Sequence, residues 1–343
     1  MKFSCIRWLV LLGLCLFLGE MAAWPETRTG DWTISRSAIA GHVHFSLIEQ
    51  RHDGHSEFGS DWPLSVFQGL DTSKSGRHEV HFAVSRDAGK FDCEGFLDNG
   101  EGAGLFHFVP SAQYPQEMKA LGFDGVTEEK QLAMAAQDVS LEFARAMKSE
   151  HLEGLDTDKL MAFRIFGVTG DFIHQIREAG LNISASDKLV AFRIHGVTPE
   201  MIRTLRQEGY SPDEDKLIAL RIHGVTPEWM TQMSKLGYSH LDLDKFVAFR
   251  IHGVTPEFIE KLKELGYPHP EPDQLIAFRI HGVSPEFIEK LKELGYPHPE
   301  PDQLITMRIH GVTPEYITSM RSQHGMQNLT IEQLVSLRIH GID

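Results

Sequence analysis

Residues 275–288 read Leu-Ile-Ala-Phe-Arg-Ile-His-Gly-Val-Ser-Pro-Glu-Phe-Ile. They contain the end of one helical pattern, a glycine stop and the start of a second helix. Moving outward, Arg-Ile-His-Gly-Val recurs at Arg193, Arg221, Arg250, Arg279 and Arg308, and it closes as Arg338-Ile339-His340-Gly341-Ile342. A variant, Arg164-Ile165-Phe166-Gly167-Val168, precedes them, and Ala135-Ala136-Gln137-Asp138-Val139 is a more worn copy. The steps from Gln137 through Phe166, His195, His223, His252, His281 and His310 to His340 are 29, 29, 28, 29, 29, 29 and 30 residues. Residues 248–276 and 277–305 differ only in Thr255 against Ser284, so the chain carries a recent internal duplication. Self-similarity at this period is the mark of a repeat architecture.

Each repeat encodes two short helices. Thr255 suits an N-cap, Pro256 the first helical position and Glu257 the positive helix end. Phe258, Ile259, Leu262 and Leu265 form one apolar stripe, and Gly266 provides a left-handed stop. The loop Pro268-His269-Pro270-Glu271-Pro272 cannot continue a helix. Asp273 is then expected to cap a second helix that carries Leu275, Ile276, Phe278 and Ile280 and stops at Gly282; apolar on more of its surface, this helix is expected to lie inward. Short capped helices without strands predict an α-solenoid. Ser111–Phe123 aligns with Thr255–Tyr267, so the array is expected to span 111–343 as eight units, or sixteen helices. Leu334, Leu337 and Ile339 on the last helix are expected to form an exposed contact surface.

Residues 31–110 alternate with period two instead. Val43, Phe45 and Leu47 share one face, Val80, Phe82 and Val84 another, and Phe106 and Phe108 repeat the pattern. Glycines at 89, 95, 100, 102 and 104 point to tight hairpins or bulges. The fold class is therefore α+β. A small all-β domain over 24–110, with five to seven strands in a meander or sandwich, precedes the helical array; a short β-solenoid is the alternative. Without a flexible linker after Pro110, the β domain is expected to dock on the first repeat. Residues 1–23 read as a signal peptide, from Lys2 and Arg7 through the apolar Ile6–Leu18 run to Ala22-Ala23. Met21 is an imperfect cleavage residue, which leaves a retained anchor as the alternative. No stable membrane span is expected after cleavage.

The 343 residues carry 48 acidic and 33 basic side chains, a formal charge of -15 that becomes -16 without Lys2, Arg7 and Glu20. This balance argues against a sequence-independent grip on phosphate backbones. Of three cysteines, cleavage would leave only Cys93, which excludes a disulfide scaffold and, in its apolar-alternating setting, reads as a buried thiol. The nineteen histidines need an explanation. His195, His223, His252, His281, His310 and His340 are one position copied six times, in the last helical turn where an imidazole can bond free carbonyls. A metal ladder is disfavoured, because zinc ligands lie within about 4 Å of one another whereas packed helices stand about 8–10 Å apart. Charging of these histidines as a pH sensor is an alternative.

Arg193, Arg221, Arg250, Arg279, Arg308 and Arg338 precede those histidines by two, and Glu200, Glu228, Glu257, Glu286 and Glu315 are their expected ion-pair partners. The sharper alternative is an anion- or carboxylate-binding groove lined by the arginines. His42, His44 and His81 are expected on solvent-facing sheet positions, with no diagnostic metal spacing. No Gly-x-Ser-x-Gly elbow, His-Glu-x-x-His pair or Gly-Lys-Ser/Thr phosphate loop is present, so neither an enzyme nor a cofactor is expected.

The repeat phrase, with Thr-Pro-Glu after Gly-Val, resembles repeats of bacterial envelope proteins, including arrays attached to antirepressor-type metallopeptidases of the β-lactam-sensor kind. The resemblance covers roughly 108–343, and the Phe82–Phe108 stretch with Arg86-Asp87-Ala88-Gly89 is similar to a segment preceding such arrays. The chain has no peptidase motif or multi-span region, so proteolysis does not carry over. The resemblance implies an exported accessory or sensor-like module. A second similarity, to helix-hairpin-helix nucleic-acid elements, fails at the turn, where Thr or Ser followed by Pro replaces the second glycine and removes a donor. The function expected is a secreted or periplasmic, non-enzymatic scaffold with an envelope or secreted protein partner and no nucleic acid. A small-molecule or anion sensor using the concave repeat face is the alternative.

Overall fold

The computed structural model describes residues 28–51 and 54–342. The signal peptide read over 1–23, with Cys5 and Cys15, lies outside the described residues. The chain divides into two compact units at Leu141/Glu142.

The first unit holds seven strands: β1 (Arg28–Arg36), β2 (His42–Arg51), β3 (Gly54–Pro63), β4 (Phe67–Gln68), β5 (Arg77–Arg86), β6 (Gly89–Asp98) and β7 (Glu101–Pro110). They form one antiparallel sheet in the order β3-β2-β1-β7-β6-β5-β4. The alternating apolar residues all point to one face, and a single sheet buries one face by curling around it. Trp62 of β3 and Phe67 of β4, from opposite ends of the strand order, accordingly lie 5.9 Å apart. Phe45 meets Phe67 at 5.1 Å and Phe82 at 6.1 Å, and Trp32 meets Phe82 at 5.0 Å, mostly edge to face.

The glycine-rich stretch splits into two kinds of position. Asn99 and Gly100, with φ of 52° and 85°, make the two-residue turn between β6 and β7. Gly95, Gly102 and Gly104 lie within paired strands and form no bulge. They are small because neighbours come close: a Cβ on Gly95 would stand 2.8 Å from the Trp32 ring, whose Nε1 donates to Glu94 O at 3.1 Å.

Two helices, α1 (Tyr114–Ala120) and α2 (Glu128–Ala136), complete this unit against the sheet. Gln131 Nε2 on α2 donates to Ala88 O at 3.1 Å and Ser111 O at 2.7 Å. Arg86 pairs with Asp138 at 3.0 Å while stacking over Trp62. The fully buried Tyr114 donates to Val139 O at 2.7 Å. Gln131 of α2 thus satisfies a backbone carbonyl at the turn of the β5–β6 hairpin.

The second unit is built of two rows. One row begins at the Thr-Pro-Glu positions: α3 (Leu141–Ser149), α5 (Gly170–Glu178), α7 (Pro199–Gln207), α9 (Pro227–Lys235), α11 (Pro256–Glu264), α13 (Pro285–Glu293) and α15 (Pro314–Gln323). The other ends at the Arg-Ile-His-Gly positions: α4 (Thr157–Phe166), α6 (Ser186–His195), α8 (Glu214–Ile222), α10 (Leu243–His252), α12 (Pro272–His281), α14 (Pro301–Ile309) and α16 (Ile331–Ile339). With α1 and α2 these make sixteen helices in repeat-like order, as the spacing predicts. From α4 to α16 each even helix packs on the next even one, and α5 packs on α7, α7 on α9, α11 on α13 and α13 on α15. Among the described residues no helix is long and apolar enough to cross a membrane.

Within a repeat, Thr255 Oγ1 accepts from Phe258 N at 3.2 Å, and Tyr267 N returns to Leu262 O at 2.9 Å around left-handed Gly266. The second helix starts earlier than expected. Pro272 is its first residue and Glu271 its N-cap, with Gln274 Oε1 accepting from Glu271 N at 3.1 Å. Asp273 therefore does not cap; it lies in the first turn and reaches the preceding repeat. A proline at the first helical position suits the fixed φ of the ring, which moves the boundary two residues upstream.

Candidate interaction surface of the helical array

Five of the six repeated arginines reach backbone carbonyls of the repeat before. Nε of Arg193, Arg221, Arg250, Arg279 and Arg308 donates to the carbonyls of Phe166, His195, His223, His252 and His281, at 3.0–3.3 Å. Each bond crosses from one repeat to the repeat before it and fills an acceptor left open at a helix C-terminus. The guanidinium planes also cover rings on the odd row: Arg193 over Phe172, Arg250 over Trp229, Arg279 over Phe258, Arg308 over Phe287 and Arg338 over Tyr316, at 4.9–5.2 Å. Met201 stands at the ring position beneath Arg221.

The glutamates expected to pair with these arginines serve their own helix starts. In Glu257, its own backbone amide and then the Thr255 hydroxyl hold the carboxyl below its usual range, and Glu286 is held by its amide and Ser284 in the same way. In Glu228 the Thr226 hydroxyl leads and Arg221 adds a minor attraction. Glu200 meets Arg203 at 3.4 Å and Glu315 meets Lys290 at 3.7 Å.

The repeated histidines enter the ladder through their backbone. The carbonyls of His195, His223, His252 and His281 accept the arginine bonds, while their imidazoles stay half-exposed and those of His310 and His340 are exposed. Of the six imidazoles expected to bond helix-end carbonyls, only that of His340 does so, with Nδ1 2.7 Å from Ser336 O. Each following glycine is left-handed, and a Cβ on Gly167, Gly196, Gly224, Gly253 or Gly282 would stand 2.8–3.0 Å from the next repeat's Arg Nη2. A second ladder joins the starts of the even helices, where Lys159, Lys188, Lys216 and Lys245 pair with Asp187, Asp215, Asp244 and Asp273 one repeat on. Gln274 with Asp302 and Gln303 with Glu332 continue it.

The even helices, expected to lie inward, also carry an exposed apolar position: Ile280 is 56% exposed, and Ile165, Ile194, Ile222, Ile251, Ile309 and Ile339 are 52–58% exposed. The core of the even row comes from Leu275, Phe278 and their equivalents on α4 to α14, which are buried. Ile280 lies about 100° per residue away from Phe278, so it points off the packed face. On the last helix, Leu334 is buried and Leu337 half-buried, leaving only Ile339 of that expected surface exposed. Equivalent positions on stacked helices about 8–10 Å apart draw these seven isoleucines into one stripe.

In the sheet, register places His44 on β2 beside Asp61 on β3, at 3.2 Å, and His81 opposite Glu94 on β6. His42 lies 3.1 Å from Ala40 O. Three strands separate β2 from β5, so His44 and His81 do not converge. Cys93 is buried, and burial followed by the Asp92 charge pushes its thiol far up, which makes it a poor nucleophile. Among the described residues no three His, Cys, Asp or Glu side chains cluster as a metal site. Compared with known proteins, the chain matches no family model and no curated sequence.

Proposed function

We propose that the protein is an exported, non-enzymatic scaffold and that the isoleucine stripe of the even helices is where it holds a protein partner. The observation that carries this reading is the exposure of an isoleucine at the same position of seven successive repeats. The odd helices vary more from repeat to repeat: α5, α7, α9 and α15 read GDFIHQIRE, PEMIRTLRQ, PEWMTQMSK and PEYITSMRSQ. Nothing in the packing requires an apolar side chain there, and contiguous exposed apolar surface marks interaction sites. The anion-groove reading is weaker, because Arg193, Arg221, Arg250, Arg279 and Arg308 each spend Nε on a carbonyl and, in most repeats, one face on a ring.

The test replaces Ile251, Ile280 and Ile309 by Gln in the full chain. Exposed positions make each change worth only about 0.5 kcal/mol of stability, so the melting temperature stays near that of the parent. Capture of a specific partner from an envelope extract should be lost. Undiminished capture by the triple variant would overturn the assignment of the stripe.

A further inference from the structure

Three loops leading into even helices carry a histidine two residues after a tyrosine: His240, His269 and His298. Two of them close the joint with the preceding repeat. His269 stacks on Tyr238, with ring centroids 4.6 Å apart and planes 12° apart, and its Nε2 lies 3.2 Å from Gly237 O. His298 repeats this on Tyr267, at 4.7 Å and 24°, with Nε2 2.9 Å from Gly266 O. Proline follows each of these histidines, and a residue before proline is restricted to extended backbone.

Leu241 follows His240 instead, and His240 takes a left-handed φ of 56°. The stack on Tyr210, the equivalent of Tyr238, is absent. Where His269 and His298 stand 2.7–2.9 Å from the Cβ positions of Gly237 and Gly266, nothing lies within 4 Å of the Cβ position of Gly209. Beside it, Glu208, Tyr210, Ser239, His240, Met230 and Phe246 line a cavity of about 230 Å³. It is smaller than a drug-sized site of about 300–1,000 Å³ and suits a single planar group.

We propose that this cavity binds a small planar cation with in-plane N–H donors, a guanidinium or imidazolium, in the place that His269 and His298 fill in the later repeats. The Tyr210 ring offers its face, the Gly209 carbonyl the acceptor that Gly237 and Gly266 present to histidine, and the Glu208 carboxylate the countercharge. The local field has the right sign. Burial first, then the Glu208 and Asp242 charges, push the Tyr210 hydroxyl above its ordinary range. The protein's own ring-on-ring pairs one and two repeats on, His269 on Tyr238 and His298 on Tyr267, show the geometry that such a ligand would reproduce.

The experiment titrates the full chain with methylguanidinium, L-arginine and acetyl-Gly-Arg-Gly-amide by ligand-observed NMR. Saturable millimolar binding is expected, with tetramethylammonium, which has no N–H, about tenfold weaker. Tighter binding of the free amino acid would identify a metabolite as the source, and tighter binding of the peptide a protein side chain. Y210L and E208Q should each weaken methylguanidinium by about tenfold, the loss of one stacked or charge-assisted contact. The double variant S239P/L241P rewrites the loop in the form that holds His269 over Tyr238, so it should abolish binding and raise the melting temperature. No saturable binding, or binding equal in the parent and Y210L, overturns the proposal; the two single variants decide it if the loop variant does not fold.

Discussion

Gly253 shows how one residue is constrained from two sides. Its φ of 71° belongs to the left-handed region, and a Cβ would stand 3.0 Å from Arg279 Nη2 of the next repeat. Gly253→Ala should therefore cost about 1–3 kcal/mol, the usual penalty for holding a side chain in that conformation plus displacement of the guanidinium. Adding Arg279→Ala should recover the displacement part, so the two substitutions will couple in denaturant unfolding. Strict additivity would show that the close approach imposes no constraint. The helix stop was readable in the Gly-Val phrase. The arginine's carbonyl partner was not, because a bond to a backbone atom 27 residues away leaves no residue type in the sequence to pair it with.

At the scale of the element, helix starts were set by local chemistry and were largely readable. Thr255, Thr226 and Thr198 all accept from the amide three residues on. The exception is Asp273: Pro272 fixes the boundary with Glu271 as the N-cap, and Asp273 is drawn to Lys245. The lysine–aspartate rungs hold exposed carboxylates, and such pairs are worth about 0–1 kcal/mol each. Replacing Lys216 and Lys245 by Gln, the residue already at 274 and 303, should lower stability by no more than that and reduce its dependence on salt. A larger loss, measured by denaturant titration at low and high salt, would show that the rungs hold the repeats together.

Across the whole array, the tyrosines that end the odd helices set an alkaline limit. Burial, aided by Glu271 and Glu300, pushes the hydroxyls of Tyr238 and Tyr267 up to about 12. Both donate to proline carbonyls of the following repeat, at 2.8 and 2.6 Å. Tyrosine in the unfolded chain ionises near 10, so between pH 10 and 12 the unfolded state holds fewer protons than the folded one. Stability contributed below pH 10 is then lost, by up to about 1.4 kcal/mol per pH unit for each tyrosine. Urea unfolding at pH 9 and 11 should show the fall, and Y238F/Y267F should flatten it. An equally steep fall in the double variant would assign it to other groups.

The sequence by itself determined the number of repeats, the two-helix unit, the caps and the alternation of the β segment, because each is written in neighbouring residues that obey one local period. Only the tertiary structure decided which apolar residues are spare. Leu275, Phe278 and Ile280 look alike in a hydrophobic count, and stacking against the neighbouring helices buries the first two and leaves the third in water. It likewise decided that the sheet closes on itself through Trp62 and Phe67, and that the histidine of one loop swings off its tyrosine while two others stay. Those outcomes depend on how distant segments share space, and a one-dimensional pattern holds no term for that.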